Sequence, residues 1–246
     1  MPLMDLEITE SQVVSWAVIV SVLALCLFVT RGLSVKPQGK RQVIAEFIVE
    51  KASSFTVENM GERLGRSFAP FVAAIMALSA LSSLSSLLGL HPPTSDINVV
   101  AGWAILVFVL ITYYKLKGGL WNYVKGFGDP IPVFAPFNVI SEVATPISMA
   151  FRHYGNVLSG VVISTLIATA LQGLSKMVLG WLPGFLGTFP LLQVGLPAIL
   201  SLYFDLFSGC LQAFIFAMLT MLYIANGFPE EEYEKRLAKK QARKAA

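Results

Sequence analysis

Charged side chains are scarce in this chain: Asp, Glu, Lys and Arg make up 13% of its 246 residues, against roughly a quarter in soluble domains. Apolar residues supply 55% and the mean hydropathy is +0.69, which excludes a water-solvated globular domain and makes a lipid bilayer the implied solvent. Cysteine is almost absent. Cys26 and Cys210 sit far apart inside apolar stretches, which leaves neither a disulfide framework nor a metal-ligand spacing. Only two histidines occur, His91 and His153, and no Gly-rich loop ends in Lys-Ser or Lys-Thr. Phosphate-cradling and metal-ligand signatures are therefore missing; no cofactor is expected, and the chain does not read as an enzyme. The formal charge of +3 is small, and the basic residues gather at the ends of apolar runs. That pattern argues against nucleic-acid binding and reads as a topology signal.

What the sequence has is long apolar runs. Spanning about 30 Å of hydrocarbon takes about 20 helical residues, and windows of that kind predict spans at 12–30, 68–90 and 98–115, followed by longer stretches at 137–179 and 189–226. The first run lacks a basic leader, since Asp5, Glu7 and Glu10 precede it and Arg31 follows it; it reads as a retained span, not a cleaved signal. Seven Lys or Arg lie between Arg31 and Arg66, none between His91 and Asp96, then Lys115, Lys117 and Lys125, and a strongly basic tail from Lys235. The positive-inside rule turns this alternation into five crossings, with residues 1–11 outside and the tail 227–246 in the cytoplasm. Between them, at 40–65, Val43, Ile44, Phe47 and Ile48 share one face and charged residues occupy others, as in an amphipathic helix lying at the inner interface. The acidic then basic tail reads as a short solvated helix.

The last two stretches are too long for ordinary crossings. About 40 residues at 1.5 Å each give a helix of about 60 Å, twice the hydrocarbon thickness, so each either inclines steeply or breaks. Pro146 is a candidate bend in the fourth, and Pro190 and Pro197 stand at the start of the fifth. The expected architecture is an all-α integral membrane protein, a single domain of about five transmembrane helices plus an interfacial amphipathic helix, its last two helices long and steeply tilted.

Polar residues in the fourth stretch are patterned. Thr145, Ser148, Arg152, Asn156 and Ser159 recur at helical spacing, forming one polar stripe. Arginine at mid-span costs at least about 2.5–3.5 kcal/mol, so Arg152 is expected to face a cavity or a partner carboxylate; the competing reading is snorkelling to headgroups, which its depth in the apolar run disfavours. In the fifth stretch Asp205, Ser208 or Gly209, Gln212 and Tyr223 form a matching stripe. Asp205 is either a functional acid or the structural counter-ion of Arg152. His153 points about 100° away from Arg152, towards a packing or interface role, with proton relay as the alternative. The serines Ser79, Ser82, Ser83, Ser85 and Ser86 either let helices approach closely or wet an outer vestibule with Asp96 and Asn98. No internal repeat is evident, which gives no support to a repeat-built transporter.

The string Pro146-Ile-Ser-Met-Ala-Phe-Arg152-His-Tyr-Gly155-Asn156 resembles the hallmark of the a subunit of F-type ATP synthases. The likeness continues in Leu211-Gln212-Ala-Phe-Ile-Phe216 with Tyr223, and in Pro92-Pro93-Thr94-Ser-Asp96-Ile-Asn98, from about Gln42 to Tyr223. The resemblance implies a non-catalytic stator in which two offset aqueous half-channels meet a turning ring of c subunits. Arg152 would separate the half-channels and favour the ionised ring carboxylate through its field, being permanently protonated. Gln212 would neighbour Arg152 on the last helix, Asn156 and Ser148 would be polar lining, and Asp205 would serve the outer half-channel with Asp96 and Asn98; Tyr223 would also take part in ion translocation. Implied partners are the c-ring, the b-subunit peripheral stalk and the rest of the synthase, in an energy-transducing membrane, the bacterial plasma membrane. The transported ion is a proton or sodium. Val161 stands where many relatives carry an acid or histidine, serines replace an asparagine before Leu-Leu-Gly, and Thr145 replaces a common lysine. A stand-alone secondary ion transporter or channel is the alternative function.

Overall fold

The computed structural model describes residues 9–34, 39–128, 131–179, 195–196 and 199–245, and these contain helices and turns but no strand. Five helices among them are long and apolar enough to cross a membrane: α1 (Glu10–Thr30), α2 (Lys40–Leu84), α3 (Ile97–Leu116), α5 (Ala135–Leu179) and α6 (Ile199–Gly227). A short α4 (Leu120–Gly126) follows α3, and α7 (Glu230–Ala245) ends the chain.

Local chemistry explains most boundaries. Thr9 caps α1 in a reciprocal box: its hydroxyl accepts from the Gln12 N–H, and the Gln12 side chain accepts from the Thr9 N–H, so two orphan donors are satisfied at once. Asp96 caps α3 by accepting from the Asn98 N–H at 2.9 Å. The interfacial helix and the second span, expected as separate elements at 40–65 and 68–90, are joined without a linker in α2. The bend sits at Gly61, whose φ of 77° and ψ of 162° fall in a region that only glycine enters cheaply. A 3-10 turn, Ser85–Leu88, then ends the α2 run.

Pro146 does not break the fourth stretch. α5 runs through it for 45 residues, about 67 Å at 1.5 Å per residue, because losing one backbone donor does not end a helix whose other bonds are made. The beginning of the fifth stretch, with Pro190 and Pro197, lies outside the described residues. Within α6, Leu202–Ser208 is π-helical, a local widening often found at functional positions.

The core is built around α6. Phe216, Ala217, Met221 and Ile224 pack against Met60, Leu64, Phe68, Val72 and Ile75 of α2, Val107 and Ile111 of α3, and Met149 of α5. The apolar windows of α1 and α5 are the least covered, 0% and 6% buried. α1 has an apolar outer side suited to lipid. α5 carries Arg152 on its open side, which is not.

The tail helix is not merely solvated. α7 folds back on the Lys115 end of the bundle. Arg63 lies between Glu230 (3.8 Å) and Glu234 (2.9 Å) and 5.0 Å from the Tyr233 ring, while Arg236 donates to the Lys117 carbonyl at 3.2 Å.

Candidate functional site

Arg152 lies near the middle of α5, is exposed, and makes no hydrogen bond or ion pair with any described residue. A guanidinium cannot shed its proton to escape an apolar setting, so an unpaired arginine at this depth calls for water or for an anion from outside the chain. Ser148 and Ser159 share its exposure; Thr145 and Asn156 are partly covered. Two hydroxyls of the stripe are satisfied within α5, Thr145 donating to the Ser141 carbonyl and Ser159 to the Asn156 carbonyl. The expected stripe is therefore a narrow polar edge with one charge.

Asn156 joins the two long helices. Ser208 Oγ donates to Asn156 Oδ1 at 2.9 Å, and Asn156 Nδ2 reaches the Ser208 carbonyl at 3.5 Å. Gly160 supports the approach: a Cβ there would come 3.1 Å from Phe204. Gln212 is 6% exposed and has no hydrogen-bond partner among the described residues. Asp205 is not the counter-ion of Arg152. Its carboxylate accepts from Ser201 Oγ one turn earlier on its own helix. Spacing by seven predicts that Asp205 and Gln212 share a face, yet Asp205 is partly exposed where Gln212 is buried. The π segment that carries Asp205 widens the turn before Gln212, so a count in steps of 3.6 no longer holds.

At the far end, Asp96 accepts from Ser11 Oγ at 3.1 Å as well as capping α3, and Asn98 is exposed. Ser79, Ser82, Ser83 and Ser85 are all buried, which fits the close-packing reading: a Cβ on Gly209 would come 2.7 Å from Ser83 Cβ. Ser83 and Thr94 hydroxyls lie 3.5 Å apart. His153, 0% exposed, sits edge-on to Trp103 and Phe216 with Nε2 3.4 Å from Ser79 Oγ, while its Nδ1 has no partner among the described residues. It is a packed residue behind Arg152.

Sequence reasoning missed a cleft at the opposite, basic end. A cavity of about 580 Å³ opens between α3, α4, α5, α6 and the start of α7. Lys115 Nζ donates to Glu142 Oε2 at 2.6 Å, both side chains largely covered (27% and 13% exposed), and Tyr123 OH donates to Glu142 Oε1 at 3.5 Å. Burial first, then the Glu142 charge and hydrogen bond, push the Tyr123 hydroxyl above its usual range. Thr145 and Tyr223 line the same cavity. Thr145 lies seven residues before Arg152 on α5, about 10 Å along the axis. The signal was available: Glu142 extends the polar stripe by one more step of three. Its partner Lys115 served only as a topology marker.

No group of three or more His, Cys, Asp or Glu side chains able to hold a metal occurs among the described residues. The chemistry on offer is one unpaired cation at mid-helix, flanked by polar side chains and approached from the basic end by a cavity. The sequence matches the ATP synthase A chain family over residues 12–225. It is 29% identical over 230 residues to the ATP synthase subunit a of Desulforamulus reducens, covering 91% of this chain and 81% of that one. To the Bacillus subtilis subunit a it is 31% identical over 218 residues, covering 84% and 86%, and to that of Moorella thermoacetica 29% over 223 residues, covering 90% and 91%. With a mid-helix arginine, a polar edge and five membrane-length helices inside the matched region, the chain belongs to the ATP synthase A chain family.

Proposed function

We propose that this chain is the ion-conducting stator subunit of a bacterial rotary ATP synthase, in which Arg152 couples transmembrane flow of protons or sodium ions to rotation of a c-ring. The observation that carries the reading is the exposed, unpaired guanidinium on α5, a helix whose apolar window is only 6% buried. A ring of carboxylates turning past that side supplies the missing anion one subunit at a time. Arg152 favours the ionised form of each as it passes, so an ion is released to one passage before the next is taken from the other. The cleft at Lys115, Glu142, Thr145 and Tyr223 is the inner passage. Asp205, Asp96 and Asn98 belong to the outer one, and Asn156 with Ser208 braces the two helices beside Arg152. Ser148 and Gln212 line the centre. The basic loops and tail face the cytoplasm and the N-terminus lies outside. A peripheral b-subunit stalk holds the chain against the torque.

Each ion moved through 100 mV delivers about 2.3 kcal/mol, so the centre needs no chemistry of its own, and nucleotide turnover lies on other subunits. The test is Arg152→Ala in the assembled synthase, read as ATP-driven ion uptake into inverted membrane vesicles. Uptake is expected to vanish while ATPase activity remains. Coupled uptake at the wild-type rate would refute the role.

A further inference from the structure

We propose that α7 is a working wall of the inner cleft and that Glu232 is a carboxylate gathering the translocated cation at its mouth, an inference that rests on the inner-passage reading above. The helix is built into place. Besides the Arg63 contacts, the Lys117 ammonium lies 4.2 Å from the Tyr114 ring and 5.8 Å from that of Tyr233, and Phe228 bridges Tyr114 and Tyr233. The turn beneath is Gly118-Gly119. A Cβ on Gly118 would lie 2.3 Å from Pro229 Cγ, and one on Gly119 3.0 Å from the Arg236 guanidinium. The seat thus has the shape of the helix that occupies it. Pro229 and Glu232 then line the cavity together with Lys115, Tyr123, Glu142 and Tyr223.

Charge accounting inside the cleft singles out Glu232. Lys115 and Glu142 neutralise each other at 2.6 Å, and Tyr123 and Tyr223 carry no charge. Of the acids on α7, Glu230 and Glu234 are engaged by Arg63, and Glu231 lies 3.9 Å from Lys235. Glu232 has no ion pair among the described residues. Lys117 is turned onto aromatic rings and Arg236 onto the Lys117 carbonyl. The cleft therefore carries one net negative charge, contributed by the tail helix. A single sign of charge in a low-dielectric mouth concentrates oppositely charged ions.

In inverted vesicles the inner face is outward, so the cation presented to the cleft can be set directly. ATP-driven uptake by the whole synthase is followed as pH and sodium concentration are varied in separate series. Glu232→Gln is expected to raise the half-saturating cation concentration about threefold at low ionic strength, with a smaller effect at saturation, and the difference is expected to fade above roughly 0.5 M inert salt. Glu232→Asp restores the wild-type value, and Gly118→Val, which unseats α7, reproduces the shift. A loss equal at all cation concentrations, a shift indifferent to salt, or no shift in either series overturns the proposal. Arg152→Ala is run alongside: if it stays coupled, the inner-passage reading fails whatever Glu232 does.

Discussion

Replacing Gly118 by alanine adds one methyl group, yet it should release a 16-residue helix. The new Cβ would stand 2.3 Å from Pro229 Cγ and 2.9 Å from Pro229 Cβ, inside contact distance of a rigid ring at the head of α7, so one of the two segments must move. Holding α7 down are the exposed Arg63–Glu234 pair, about 0.2–1 kcal/mol, the Arg63–Tyr233 ring contact, about 0.5–1 kcal/mol, and the aromatic pairs of Phe228 with Tyr114 and Tyr233, about 0.5–1.5 kcal/mol each. These sum to about 1.7–5 kcal/mol, so the seated helix outnumbers the released one by roughly 20- to 4,000-fold at 1.4 kcal/mol per tenfold. Losing most of them should raise exposure of the tail at least about tenfold. Limited trypsin digestion of inverted vesicles measures it, because Lys235 and Arg236 become cleavable when α7 lifts, with backbone hydrogen exchange across residues 230–245 as a second readout. Wild-type digestion kinetics in Gly118→Ala would mean that the close fit at Pro229 does not hold the helix.

Asn156→Ala and Ser208→Ala should each weaken the α5–α6 contact, and a double-mutant cycle on thermal loss of the subunit from the synthase should return a coupling of about 1 kcal/mol; strict additivity would mean that the bond contributes nothing. The Tyr123 hydroxyl should ionise above its ordinary range in an alkaline spectrophotometric titration, and Tyr123→Phe should remove that step. Its folded value is raised above 10.0 by burial, then by Glu142, so its contribution is complete below the unfolded value and is lost as pH rises through the folded one.

The five membrane-length helices were legible because no water is available in hydrocarbon to satisfy a broken backbone, so each span must be a continuous apolar helix. Arg152 was legible for the same reason, a single costly charge standing out of a long apolar run. Other features were not. The spacing rule that aligned Asp205 with Gln212 assumes one helical pitch, and the π segment violates it. The merging of 40–65 with 68–90 turns on a single backbone conformation at Gly61, a residue that reads equally well as a break. The cleft at the basic end has no local signature in the sequence because Lys115 and Glu142 meet across 27 positions, and local periodicity says nothing about which helices become neighbours. The seat of α7 on Gly118 and Gly119 is likewise a tertiary match with no local signature.

The π-helical turn of α6 divides that helix into two parts with separate registers. Taking one residue out of Leu202–Ser208 would return the segment to ordinary pitch; a π turn holds about one residue more than the 3.6 of an α turn, so the deletion removes that surplus and leaves the helix before it close to its present direction. Gln212 through Tyr223, locked into the core by Phe216, Ala217 and Met221, would stay where they are. A one-residue length change, ruinous in most packed helices, is here confined to the turn that carries Asp205. The setting of Asp205 can therefore be altered in a single genetic step without disturbing the residues packed behind Arg152.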